Sequence, residues 1–261
     1  MILKDKVAVI YGATGSVGTA VSIKFASEGA TVILVARDKT KLENLSQKVS
    51  SGGGNCYYYT VDAMEGKEVE EHLKLVKERF SKIDISLNLI GVNDVQGKPL
   101  SEISLSDFMS PIEAAMQTQF VTAIAAAKIM SGQNSGVILM LTAQASKIPY
   151  INTGGFGIAC AAMEALARQI AKEFGATGVR TICLRSSGSP DAAGVDEVFT
   201  IHATNEGISR QEFEEKFAQR TMLKRLPVLN EVANTAAIMA SDYSSAITAT
   251  IVNLTCGEIA D

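Results

Sequence analysis

The sequence has little with which to hold a metal ion or a disulfide framework. Cysteine occurs four times and histidine twice in 261 residues. Cys56, Cys160, Cys183 and Cys256 show no C-x-x-C spacing, and only His72 and His202 could join them as ligands. Reduced thiols and no metal are therefore expected. Basic blocks are missing too: 24 Lys and Arg stand against 28 Asp and Glu, a net charge of −4, with the cations scattered. That balance argues against nucleic acid as a partner. No long hydrophobic run is present. The most apolar helical stretch, residues 120–130, is broken by Thr122 and Lys128, and it falls well short of the ~20 residues that cross a bilayer. Lys4-Asp5-Lys6 leads straight into an apolar run, which leaves no room for a signal peptide. The expectation is a cytoplasmic protein with no membrane partner.

What is present is ordinary globular material, 47% apolar and 20% charged, enough to bury a core without staples. Short β-branched runs, at residues 7–11, 31–36, 56–61, 85–90, 137–141, 179–184 and 250–254, alternate with helical patterns. The helices are expected at 17–28, 39–49, 65–80, 106–130, 157–174 and 231–241. Ile158, Ala162, Leu166, Ile170 and Phe174 recur every four residues along one stripe, as do Ile112, Met116, Phe120 and Ile124. Strand–helix alternation implies parallel strands, right-handed crossovers and helices on both faces of a doubly wound α/β sheet of about seven strands. With no repeat and no Pro/Ser linker, residues 1–261 read as one domain. The stretch 186–222 breaks the alternation with two short helical patterns, 191–200 and 209–219. Ligands of open α/β sheets lie beyond the strands' carboxyl ends, so this insertion is expected to cover a substrate.

After the first strand comes Tyr11-Gly12-Ala13-Thr14-Gly15-Ser16-Val17-Gly18, opening the first helix. Small residues let the backbone turn sharply and approach a pyrophosphate, which the helix N-terminus stabilises through its free N–H groups. From this loop onward the chain resembles the short-chain dehydrogenase/reductase family, over nearly its full length. The family's Thr-Gly-x-x-x-Gly-x-Gly loop matches at Gly12 and Gly18, with Tyr11 and Ser16 at its Thr and middle Gly places, beside Val17. Val61-Asp62 matches the Asp that would face the adenine, and Asn88 and Gly91 match the ends of the Asn-Asn-Ala-Gly turn. Leu226-Pro227, Glu231-Val232-Ala233-Asn234 and Val252-Asn253-Leu254-Thr255-Cys256-Gly257 resemble the family's C-terminal helix and last strand. The resemblance implies a Rossmann-type fold, a nicotinamide dinucleotide, a small-molecule substrate and a homotetramer or dimer. An acidic residue at the end of the second strand favours NAD(H) in this architecture. Here Ala36 is followed by Arg37, whose guanidinium suits a 2′-phosphate, with Lys39 and Lys41 adding positive potential. NADP(H) is expected over NAD(H).

The chemistry the resemblance implies has lost its usual residues. Family members use Ser, Tyr and Lys in Tyr-x-x-x-Lys, joined by an Asn; the Tyr hydroxyl exchanges the proton and the Lys lowers its pKa. The matching positions here are Ala143 for Ser, Phe156 for Tyr, Cys160 for Lys and Ala115 for Asn. A shifted register does not rescue the pattern. Tyr150 has only Lys147 nearby, on its N-terminal side, and the enoyl-reductase spacing puts Tyr at Thr153. The nearest other polar candidates are Thr142, Tyr150, Asp191 and His202. Two readings remain open: an oxidoreductase of atypical mechanism acting on a carbonyl or alcohol, and a non-catalytic dinucleotide-binding sensor or assembly subunit.

Overall fold

The computed structural model describes residues 1–260. Along the chain run β1 (Val7–Tyr11), α1 (Ser16–Ser27), β2 (Thr31–Ala36), α2 (Lys39–Ser51), β3 (Asn55–Thr60), α3 (Gly66–Phe80) and β4 (Ile85–Asn88). There follow α4 (Leu105–Gln133), β5 (Gly136–Ala143), α5 (Phe156–Phe174), β6 (Val179–Ser186), α6 (Ala193–Glu206), α7 (Arg210–Arg220), α8 (Leu229–Ala240) and β7 (Thr250–Leu254). The seven strands form one parallel sheet in the order β3-β2-β1-β4-β5-β6-β7. Strand β1 shows why the sheet is covered on both faces. Ala8 and Ile10 enter an apolar core with α1, α2 and α8, while Val7, Val9 and Tyr11 enter a second with α3, α4 and α5. Every residue of β1 is buried, as the period of two requires when both faces are packed.

Strand β4 ends at Asn88 rather than at residue 90. The Asn88 Oδ1 accepts from the Ile90 backbone N–H at 3.0 Å, and the Gln119 side-chain amide donates to the Asn88 carbonyl at 3.3 Å. These bonds replace the next rungs of the ladder. Strands β5 and β6 run two residues further than their apolar cores suggest, because Thr142 and Ala143 pair in register with Arg185 and Ser186. The expected helical stripes mark α4 and α5 correctly but mark their buried faces only in part, as at Ile170. Phe120 and Ile158 are 54% and 48% exposed, whereas Ala115, Ala126, Ala127, Ala159 and Ala167 are buried. Small side chains let helices and sheet approach closely, so the alanines go inside.

Strand β1 has β2 on one side and β4 on the other, with Tyr11 in register with both Val35 and Asn88. The winding reverses here, which opens a crevice at the carboxyl ends of the two strands. Helices α6 and α7 stand over that edge. No helix among the described residues is long and apolar enough to cross a membrane.

Candidate functional site

A cavity of about 1230 Å³ occupies the crevice, walled by the β1–α1 turn, the ends of β4, β5 and β6, the start of α5, and α6–α7. It exceeds the ~300–1,000 Å³ of a pocket for one small ligand. The β1–α1 turn is built by close approach. Gly12 adopts φ +69°, and a Cβ there would lie 2.7 Å from the backbone of Leu89 and Ile90. A Cβ on Gly18 would lie 2.2 Å from the Gly12 carbonyl oxygen. Helix α1 begins after Gly15 without a side-chain cap and has no acidic residue in its first turn. Its N–H groups and positive dipole end therefore face the cavity without a competing protein carboxylate, which fits a phosphate group. Ser16 also ties this turn to α6, its Oγ accepting from the Ala193 N–H at 3.2 Å.

Of the dinucleotide residues expected from sequence, Ser16, Val17, Gly18, Asn88 and Gly91 line the cavity, and Gly12 lies beneath it. Arg37 and Asp62 lie outside its wall, just past the ends of β2 and β3. Arg37 is exposed, and the Asp62 carboxylate accepts from the Met64 N–H at 3.0 Å. Lys39 and Lys41 are drawn toward their own helix, 3.8 Å from Glu43 and 4.0 Å from Asp38. Asn88 is committed internally, donating to Thr122 Oγ1 at 3.0 Å.

Ala115, Ala143 and the pair Phe156 and Cys160, which sequence placed in three separate segments, converge in a single apolar cluster with Ala159 and Met163. Phe156, Cys160 and Ala143 form part of the cavity wall. Burial pushes the Cys160 thiol up to about 11, so it is neutral and unreactive at pH 7.

The other polar candidates are already engaged. Thr142 Oγ1 donates to Glu164 at 3.1 Å, and Glu164 is clasped by Arg185 at 2.8 and 2.7 Å. Tyr150 donates to Glu258 Oε1 at 2.6 Å, and burial together with that carboxylate pushes its hydroxyl well above the usual range. Asp191 lies off the cavity wall, accepting from the Leu229 N–H at the start of α8. His202 reaches into the cavity from α6, its Nε2 2.8 Å from Gln96 Oε1. Gln96 in turn donates through Nε2 to Asp94 Oδ2. Sequence reasoning missed Asp94, Gln96, Glu164 and Glu258. Only the polarity of Asp94 and Gln96 in the segment after β4 could have pointed to that pair.

Residues 12–257 match the family model described as Enoyl-(Acyl carrier protein) reductase. The chain belongs to the short-chain dehydrogenase/reductase family. It is thus an oxidoreductase-family protein on a Rossmann-type sheet, and its substrate is left open. An uncharacterized oxidoreductase, YxbG of Bacillus subtilis strain 168, is 26% identical over 246 residues, 94% of this chain and 88% of the relative. Among solved structures, NAD+-bound xylitol dehydrogenase superposes with a TM-score of 0.90 at 19% identity, covering 97% of this chain and 98% of that one. An actinorhodin polyketide ketoreductase with NADPH superposes with a TM-score of 0.88 at 19% identity, covering 97% of each chain. At such identity the superpositions establish the fold alone. In this short-chain dehydrogenase/reductase Thr153, where the enoyl-reductase spacing was expected to put Tyr, donates through Oγ1 to the Tyr150 carbonyl at 3.1 Å.

Proposed function

We propose that the protein binds NADP(H) and reduces a carbonyl, or oxidises an alcohol, without the family's Ser, Tyr, Lys and Asn. The observation that carries this reading is the uncapped α1 N-terminus at the floor of a cavity with room for two ligands. Gly12, Ser16, Val17 and Gly18 would hold the pyrophosphate, Asn88 and Gly91 would border the nicotinamide end, and Asp62 the adenine. Arg37, with no acidic residue beside it at Ala36, would pair with a 2′-phosphate, which favours NADP(H) over NAD(H). When bound, the dinucleotide supplies or accepts a hydride. The chain itself orients the ring, excludes water with the insertion 186–222, which carries α6 and α7, as a cover over the cavity, and places a proton at the reacting oxygen. Calorimetric titration with NADPH and NADH tests this reading: binding of neither would remove it.

One observation favours a second reading, a non-catalytic dinucleotide sensor or assembly subunit. The residues expected at the four family positions, Ala115, Ala143, Phe156 and Cys160, form an apolar cluster that holds no hydroxyl or ammonium group. On either reading the exposed Phe120 and Ile158 on α4 and α5 support a homotetramer or dimer through these helices. Light scattering would check the assembly, and a monomer at micromolar concentration would contradict it.

A further inference from the structure

With the family's tyrosine replaced by Phe156, any proton for a reacting oxygen must come from another cavity side chain. The titratable groups on the cavity wall include Asp94, Tyr150, Cys160, His202, Glu206 and Glu258. Most are committed. Glu206 pairs with Lys216 at 2.5 Å, and Glu258 accepts from Tyr150 at 2.6 Å and from Ser187 at 2.9 Å. Cys160 is held neutral by burial. Asp94 differs: it lines the cavity from the segment after β4, on the same wall as Ala143, Phe156 and Cys160.

Its carboxyl is held by a short relay of contacts. Gln96 Nε2 donates to Asp94 Oδ2, and Gln96 Oε1 faces His202 Nε2 at 2.8 Å, so the imidazole fixes which way the amide points. The His202 ring is itself stacked on Phe213, with centroids 5.8 Å apart and planes at 14°. Cys160 from α5 and His202 from α6 line the same cavity as Asp94, and Glu206 lines it from the same helix as His202. Burial pushes the Asp94 carboxyl above its usual range, with the Gln96 hydrogen bond opposing in part.

Resting on the NADP(H) reading above, we infer that Asp94 is the proton donor and acceptor of this enzyme, positioned by Gln96 and His202. In reduction, a hydride forms the new C–H bond at the carbonyl carbon, and the C=O π electrons take the proton from Asp94 Oδ1. The carboxylate left behind is stabilised at Oδ2 by the Gln96 N–H and regains its proton from water at the cavity mouth. Oxidation of an alcohol runs the same transfers backwards.

The test uses the full chain with NADPH and 1-phenyl-1,2-propanedione as probe carbonyl, alongside carbon-13 NMR titration of labelled aspartate carboxyls. Native protein should show one aspartate titrating above the usual carboxylate range, absent in Asp94→Asn. Its kcat should fall as pH rises through that ionisation. Asp94→Asn should lower kcat at least 100-fold while NADPH affinity by calorimetry stays within twofold. Gln96→Ala should shift the Asp94 titration with a smaller loss. An Asp94 carboxyl ionised throughout, or an Asp94→Asn protein with native turnover and pH profile, overturns the assignment and leaves the NADP(H) reading standing. Absence of dinucleotide binding to the native protein overturns both. Native protein that binds NADPH yet leaves the probe unreduced overturns the assignment and leaves dinucleotide binding standing.

Discussion

Glu164 and Arg185 form a nearly sealed ion pair behind the cavity wall, with side chains 6% and 4% exposed. Arg185 Nε and Nη2 donate to the two carboxylate oxygens at 2.8 and 2.7 Å, and Thr142 and Ser146 add donors at 3.1 and 2.6 Å. Burial pushes the Glu164 carboxyl up, but these donors outweigh it and hold it below the usual range. The pair locks α5, which carries Phe156 and Cys160, to the ends of β5 and β6. Removing one partner leaves a buried charge uncompensated, so Glu164→Ala should cost about 3–5 kcal/mol. The double replacement Glu164→Leu with Arg185→Met should restore most of that loss, because burying a charge pair is itself costly. Denaturant unfolding of the three proteins checks both outcomes. A Glu164→Ala protein of native stability would contradict them.

Acid sensitivity should come from the core that α3, α4 and α5 share. His72 of α3 is buried against Tyr11 and Tyr59, with ring centroids 6.2 and 4.9 Å away, and neither ring nitrogen has a hydrogen-bond partner among the described residues. Burial lowers its pKa from 6.5 to about 4. The unfolded chain then takes up a proton at higher pH than the folded one, so stability is full above pH 6.5 and declines as pH falls toward 4. The loss attributable to this residue is on the order of 3 kcal/mol. Across that window the melting temperature of the native protein should fall more steeply than that of His72→Leu, so the difference shifts in favour of the variant toward the acid end. Parallel curves would refute the assignment.

Cofactor choice should turn on Arg37. NADPH should bind more tightly than NADH, and Arg37→Ala should weaken NADPH by about 1.5–3 kcal/mol, the range for hydrogen bonds to charged groups, with NADH little changed. Equal affinities in the native protein by calorimetry would contradict this.

Rebuilding the family's residues tests how far the apolar cluster has displaced them. Tyr alone at position 156 lacks the cation that lowers its pKa, so Phe156→Tyr by itself should add no carbonyl reductase activity. A gain should require Ala143→Ser, Phe156→Tyr and Cys160→Lys together. Cys160 is 1% exposed, so the introduced ammonium should lower the melting temperature, and NADPH should raise it again. Full activity from the Tyr substitution alone would show that another cation already serves the site.

Local pattern carried most of the fold. The β-branched runs and helical periods placed all the strands and helices because a strand packed on both faces reads as a continuous apolar run and a helix packed on one face as a period of about 3.6. Ends were less certain: β4 stops at Asn88 because side-chain bonds from Asn88 and Gln119 take over its backbone groups. The glycine turn was also readable, since Gly12 and Gly18 answer to steric limits within one strand–helix unit.

The side-chain partnerships were decided by tertiary structure alone. His202 and Gln96 are 106 residues apart in sequence, and Tyr150 and Glu258 are 108 apart. Such contacts depend on strand order and on which way each crossover returns, and periodicity carries neither. The sequence by itself determined a doubly wound sheet with a phosphate-sized turn at its switch point. Only the folded chain decided that Ala115, Ala143, Phe156 and Cys160 meet in one apolar cluster beside an acid, Asp94, because a polar residue in a loop acquires its neighbours only when distant strands and helices close around it.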